Sequence, residues 1–272
     1  MRVCICGTVK NCGAYLENVL QNMYRIGSLF ESFVIFLYYD DSQDETWTIL
    51  EAHKATHPNL FVHRNTTFRS PFRTHRIAHG RNTCLDFIRT NYPTYEYFIM
   101  MDCDNPCSET VHTDVLAKYL GRADWDALTF RKEPYYDIWA LSLSPYNVSF
   151  VHFPNYVHVL NTMTKYVETR LNELGEGELL ECNSAFNGFA IYRAALFLKS
   201  RYDGSLRMDL IPKRLQRETF AANGSPIMFI PCGWLDIREE DCEHRSFHME
   251  ATARGCRIRI APEILFEGAV RY

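Results

Sequence analysis

Four short apolar runs alternate with helix-like segments over the first hundred residues, and this alternation confines the chain to one broad architecture. Residues 3–6, 33–39, 60–63 and 97–101 read as strands, and 33–39 is continuous enough to be buried on both faces. Residues 15–26 place Leu16, Val19, Leu20, Met23 and Ile26 at helical spacing, and 45–54 and 76–90 read as further helices. Strand and helix in alternation predict an α/β fold: a mostly parallel sheet with helices on both faces. Ligands of such sheets bind beyond the carboxyl ends of the strands. That rule singles out residues 6–10, 40–44 and 102–105, which one crevice would gather.

The C-terminal half is less regular. Residues 127–131, 189–192, 228–230 and 258–260 read as strands, and 156–174 and 239–254 as helices. Without a linker, a repeat or a break in composition, residues 1–272 are expected to form one domain. Lys and Arg number 29 against 33 Asp and Glu, a net charge of −4, so no basic field recommends a nucleic-acid partner. The longest apolar run, 33–39, is far below the roughly 18–20 residues of a membrane span. Ten cysteines scattered singly suit buried free thiols in a reducing compartment. A soluble, cytoplasmic protein is expected, in the host cytoplasm if the source is a virus.

Asp102-Cys103-Asp104 follows the fourth strand and sets two carboxylate heads on one side of the sheet edge. Such a pair holds a hard divalent cation, Mn²⁺ or Mg²⁺, or accepts from ribose hydroxyls. Displacement of a nucleoside diphosphate from a sugar needs this arrangement, because a metal bridging the phosphates stabilises the leaving charge. Ahead of the third helix lie Arg64, Arg69, Arg73, Arg76 and Arg81, the chain's one basic concentration. Guanidinium forks at a helix start suit a diphosphate, with Arg76 and either Arg69 or Arg73 as the contacts. Arg81 has an alternative use, pairing with a sheet-edge carboxylate.

On these residues the first half resembles the GT-A glycosyltransferases. The resemblance implies a nucleotide-binding half at 1–105 and an acceptor-binding half at 106–272. Gly7-Thr8-Val9 resembles the start of the donor site, with Thr8 against the nucleotide, and Asp40-Asp41-Ser42 the acidic turn in which Asp41 accepts from the base. Arg76-Ile77-Ala78-x-x-Arg81-Asn82 matches the pattern beside the diphosphate. Asp102 then stands on the ribose side, Asp104 ligates the metal with Asp102, and Gly188 of Asn187-Gly188-Phe189 borders the donor sugar. Residues 126–130, 136–141 and 241–244 further resemble the fungal capsule-associated mannosyltransferases, although Ser142-Leu143-Ser144 replaces their Arg-Asp pair.

In inverting GT-A enzymes an acidic pair opening a late helix supplies the general base. Asp241 takes that role here, with Glu240 as the second choice. His244 and His248 lie four apart on one helix face, and His244 is a candidate third metal ligand. Trp234 suits stacking on an acceptor sugar. The chain is therefore expected to transfer a sugar from a UDP- or GDP-linked donor to a glycan hydroxyl, with inversion favoured over retention. Two rivals stand beside this reading. One is a sugar-phosphate nucleotidyltransferase, although residues 6–10 lack its glycine-rich loop. The other is a non-catalytic protein that binds glycans or nucleotide sugars on a transferase fold.

Overall fold

The computed structural model describes residues 1–224 and 239–268. The first half alternates as expected: β1 (Arg2–Val9), α1 (Gly13–Gly27), β2 (Ser32–Tyr39), α2 (Thr46–Thr56), β3 (Leu60–Arg64), α3 (Arg73–Asn91) and β4 (Tyr97–Met101). After these come β5 (Thr110–Val111), α4 (Thr113–Tyr119), β6 (Ala127–Arg131), α5 (Tyr156–Asn172) and β7 (Leu180–Cys182). The described chain ends with β8 (Phe189–Arg193), α6 (Ala194–Phe197), α7 (Lys213–Asn223), α8 (Glu243–Thr252), β9 (Ile258–Ile264) and β10 (Phe266–Glu267).

Eight strands form a mostly parallel central sheet in the order β3-β2-β1-β4-β8-β6-β9-β7, and β5 and β10 make a small separate ladder. β1, β2, β3 and β4 run parallel, as do β6 and β9, while β8 enters antiparallel between β4 and β6. Both faces of the sheet are apolar and covered, which is why the first strands are continuous apolar runs. Along β1, Val3 and Ile5 join the cluster containing Leu16, Leu20 and Met23 of α1, while Cys4 and Cys6 join Ala78 and Leu85 of α3 on the opposite face. At Gly80, α3 presses directly on the sheet. A Cβ there would lie 2.6 Å from Tyr38 Cδ1 and 2.8 Å from Thr8 Cγ2.

Two helix starts differ from the sequence expectation, for one reason. Residues 239–242, expected to be helical, are not, and α8 opens only at Glu243 with Cys242 extended as its cap. The Asp241 N–H donates to Gly204 O, and the Glu240 carboxylate accepts from the Thr74 N–H and hydroxyl. The segment thus docks across the N-terminus of α3, which starts at Arg73 rather than Arg76 because a residue far along the chain satisfies its end. β5, α4, β7, α6, α7 and β10 lie where the sequence predicts no element, and the strand expected at 228–230 lies outside the described residues. The nine described cysteines are all free thiols, eight of them buried, in line with the scattered pattern. No helix among the described residues is long and apolar enough to cross a membrane.

Candidate active site

Two cavities meet at the carboxyl end of β4. The smaller, about 220 Å³, is lined by the ends of β1 and β2 through Thr8, Lys10, Tyr38 and Asp40, and by Arg76 of α3. The larger, about 470 Å³, is lined by Tyr136, Asp137 and Trp139 of a coil wall, by Phe186, and by Cys242, Glu243 and His244 at the start of α8. Arg73, Ile77, Asp102 and Asp104 line both. The structure thus brings Thr8, Arg73, Arg76, Asp102 and Asp104 together, as the sequence reading expects.

Asp102 sits where β4 ends, its N–H donating to Gly188 O at 2.8 Å. Gly188 has φ +86° and lies close against Pro106, so a side chain there would be both strained and crowded. Arg81 takes its alternative use: Nη2 donates to Asp102 Oδ1 at 3.1 Å, and Nε pairs with Glu243 Oε1 at 3.2 Å. The guanidinium also lies over the Phe186 ring, 4.5 Å from its centroid. Burial, then the neighbouring Asp104 charge, pushes the Asp102 carboxyl well above the ordinary carboxylate range. Burial raises Asp104 too, against the opposing charge of Arg73. Asp104 Oδ1 is buried without a hydrogen-bond partner among the described residues. Two adjacent half-buried carboxylates, one with an orphaned buried oxygen, are short of positive charge.

Four expectations need correction. Asp41 is exposed and lines neither cavity; Asp40 does, pairing with Lys10 at 2.9 Å and accepting from Asn65 Nδ2 at 2.9 Å. Successive residues of an extended chain point to opposite sides, so only one of the two acids turns inward. His244 lines the larger cavity, but its Nε2 faces Arg81 Nη1 and its ring stacks on Phe186 at 3.7 Å. Burial and the Arg81 charge keep it neutral, and a cation at Nε2 bars a metal from that nitrogen. No group of three or more His, Cys, Asp and Glu among the described residues is placed to hold a metal ion. His248 is also accounted for, between Ser184 Oγ at 2.9 Å and Tyr192 Oη at 3.0 Å.

Asp241 and Glu240 are buried but line neither cavity. Burial opposes the charge of Asp241, yet Arg245 and His152 overcome it and hold the carboxyl below its ordinary value, which suits a counter-ion and not a base. Glu240 is occupied by Thr74. Trp234 lies outside the described residues. Of the more distant arginines, Arg69 donates to the adjacent Phe68 carbonyl, whereas Arg76 Nη1 donates to Ser70 O and Pro71 O just ahead of α3. The residues that sequence reasoning missed are Asp137 and Glu243. Burial first, then the Glu243 charge, raises Asp137 from 3.8 to about 6, against the opposing charges of Arg81 and Arg245. The displaced helix start hid Glu243, and the lack of any periodicity in the coil hid Asp137.

No family model and no curated protein matches the sequence. Solved structures of similar fold do exist. TarS 1–349 of S. aureus in complex with UDP matches at a TM-score of 0.52 and 15% identity, over 98% of this chain and 59% of that one. The longer S. aureus TarS chain matches at 0.52 and 14%, over 98% of this chain and 36% of that one. The mannosyltransferase PcManGT of Pyrobaculum calidifontis, in complex with GDP-Man and Mn²⁺, matches over 74% of this chain and 47% of that one at 18% identity, with a TM-score of 0.43 that is too low to bear on the fold. The chain therefore spans less than two thirds of each of these neighbours, and none of the comparisons shows the fungal capsule-associated family. What they do show is the fold: an α/β architecture shared with TarS, at low sequence identity.

Proposed function

We propose that the protein is a glycosyltransferase that moves a sugar from a nucleoside-diphosphate donor to a hydroxyl of a glycan acceptor. One observation carries this reading: a small cavity at the ends of β1 and β2 opens into a larger one across Asp102, Asp104 and Arg73. The smaller suits a nucleoside, the junction a diphosphate, and the larger a sugar with its acceptor. The TarS neighbour, with its bound UDP, supports a nucleotide in this fold.

Arg73, at the first turn of α3, adds its guanidinium to the positive end of the helix and holds the diphosphate. Asp102 and Asp104 fit a divalent cation. Two hard carboxylates, one with an unpartnered buried oxygen, match Mn²⁺ or Mg²⁺, whose remaining ligands come from phosphates and water. When bound, such an ion neutralises charge on the departing diphosphate. Asp137 is the proton acceptor: a carboxyl raised to about 6 is ionised yet basic near neutral pH. The acceptor oxygen bonds to the anomeric carbon, the bond to the diphosphate breaks, and the acceptor's proton passes to Asp137, with inversion. Glu243 stays paired with Arg81 and keeps that cation beside Asp102.

The test is a thermal-shift screen of UDP- and GDP-linked sugars with and without Mn²⁺. A donor at 100 times its Kd stabilises the protein by about 2.7 kcal/mol. Absence of any stabilisation by either nucleotide series sinks the proposal.

A further inference from the structure

The coil wall of the larger cavity is neither helix nor named strand between β6 and Phe150, yet it carries Tyr136, Asp137 and Trp139 into the site. Such a segment keeps its shape largely through groups outside it. The Ser142–Ser184 bridge and Ser184 Oγ, which donates to Ala140 O at 2.7 Å, hold its middle, and two buried side chains hold the parts that enter the cavity. Asn187 Oδ1 accepts from the N–H groups of both Tyr136 and Asp137, each at 3.0 Å, while its Nδ2 donates to Phe130 O at 2.8 Å. Further along, Arg245 donates through Nη1 to Leu141 O at 3.0 Å and to Ser142 Oγ, and through Nη2 to Trp139 O. Its Nε pairs with Asp241 Oδ2 at 3.1 Å, so the charge is matched without using a group of the cavity. Between the anchors, Asp137 Oδ1 accepts from the Ala140 N–H at 3.0 Å and ties the two ends together.

We infer that Asn187 and Arg245 are positioning residues that act through the wall to set how the larger cavity grips the sugar. Neither lines a cavity. Asn187 adopts φ +56°, and this left-handed turn is followed at once by Gly188, whose carbonyl receives the Asp102 N–H. One buried amide therefore registers the wall carrying Asp137 against the strand end carrying Asp102. Arg245 sits in the first turn of α8, whose first residue is Glu243, and registers the Trp139 part of the wall against that helix. A misplacement of about 1 Å far from the chemistry lowers rates on the order of a hundredfold, so both anchors matter without touching substrate.

The inference rests on the glycosyltransferase reading, and the experiment separates the two. UDP, UDP-glucose, GDP and GDP-mannose are titrated with Mn²⁺ into the parent protein, Asn187→Gly and Arg245→Lys. Glycine accepts the left-handed conformation without strain, so Asn187→Gly removes only the clamp. Arg245→Lys keeps the charge facing Asp241 but loses the fork that reaches the wall. Both variants should bind the nucleoside diphosphate within about twofold of the parent. Each should bind the matching nucleotide sugar at least tenfold more weakly than the parent does. Should Arg245→Lys fail to fold, Asn187→Gly decides alone. Equal weakening of nucleotide and nucleotide sugar, or no weakening of either, overturns the inference. So does a parent protein that binds nucleotide sugar no better than nucleoside diphosphate, because the wall then grips nothing. If the parent binds no nucleotide at all, the glycosyltransferase reading falls first and this inference falls with it.

Discussion

The two cavities share Arg73, Asp102 and Asp104 but are built by different means. The smaller is made from regular elements: two strand ends and the first turn of α3, fixed by ladder hydrogen bonds and by the close seat of Gly80. The larger is made from a coil, Phe186 just before the left-handed turn at Asn187-Gly188, and a displaced helix start, held largely by side chains. A cavity made of strand ends is stiff and suits the part common to all donors. A cavity made of coil varies freely between proteins, and selectivity for sugar and acceptor belongs there. This division is what the following experiments strain.

The largest effect is expected at the wall. Asp137→Asn keeps the shape of the cavity and removes the proton acceptor, so turnover of the donor found by screening should fall on the order of 10²–10⁴-fold. Affinity for the nucleoside diphosphate should hold, because Asp137 does not line the smaller cavity. If turnover survives in Asp137→Asn and collapses in Glu243→Gln, the base is Glu243, and the larger cavity keeps its role with a different residue in it.

At the junction the comparison sharpens. Arg73 lines both cavities, whereas Arg76 lines only the smaller and spends its Nη1 on Ser70 O and Pro71 O. Lysine keeps the charge but not the fork. Arg73→Lys should therefore weaken nucleoside diphosphate and nucleotide sugar alike, roughly ten- to hundredfold by calorimetric titration. Arg76→Lys should weaken both by less. Equal binding by Arg73→Lys and parent would remove the diphosphate from the junction.

The same division explains what was legible in the sequence. β1 to β4 declare themselves through apolar runs; Asp102, Asp104 and Thr8 follow from the rule that strand ends make sites, and Arg73 from the basic run at the start of the third helix. The larger cavity offers no period to read. Asp40 and Asp41 are adjacent acids, and only the register of the strand decides which one turns inward. Glu239, Glu240, Asp241 and Glu243 look alike on a string, yet Thr74, 166 residues away from Glu240, determines where the helix begins. His244 and His248 have metal-ligand spacing, but Arg81 and Ser184 had claimed their nitrogens from elsewhere in the fold.

A pH titration tests whether Asp137 is strained by its place in the wall. Its pKa in the folded protein, about 6, lies above the ordinary 3.8. Between these values the folded state holds a proton that the unfolded state has released, so this group makes stability fall as pH rises through the window. The displacement is worth roughly 3 kcal/mol at full ionisation, an upper bound for a half-buried group. Ligand-free Asp137→Asn should thus melt higher than the parent at pH 8 and near the parent at pH 4. Turnover of the parent should rise with pH and level off above about pH 6, since the ionised form is the base. A variant that melts lower than the parent at both pH values would make Asp137 a structural residue of the wall.

The smallest effect is expected where the two constructions touch, at Glu240. Its carboxylate accepts from Thr74 N–H at 3.0 Å and from Thr74 Oγ at 3.1 Å, and so closes the start of α3, the helix that carries Arg73. In Glu240→Gln the amide oxygen still accepts both bonds, and what is lost is negative charge at a helix N-terminus. That loss is worth about 0.3–1 kcal/mol at exposed sites and up to about 2 kcal/mol when partly buried. The melting temperature should fall by a few degrees. Turnover should stay within about twofold of the parent, because the carboxylate lines neither cavity. Glu240→Ala, by contrast, leaves the Thr74 N–H without its acceptor and should lower stability by about 1–3 kcal/mol. It should also weaken nucleoside diphosphate binding, as the first turn of α3 loosens around Arg73. A loss of turnover of a hundredfold or more in Glu240→Gln, at an unchanged melting temperature, would say the reverse. Glu240 would then act on the substrate, and the segment that docks on α3 would have to swing its carboxylate into the larger cavity during the reaction.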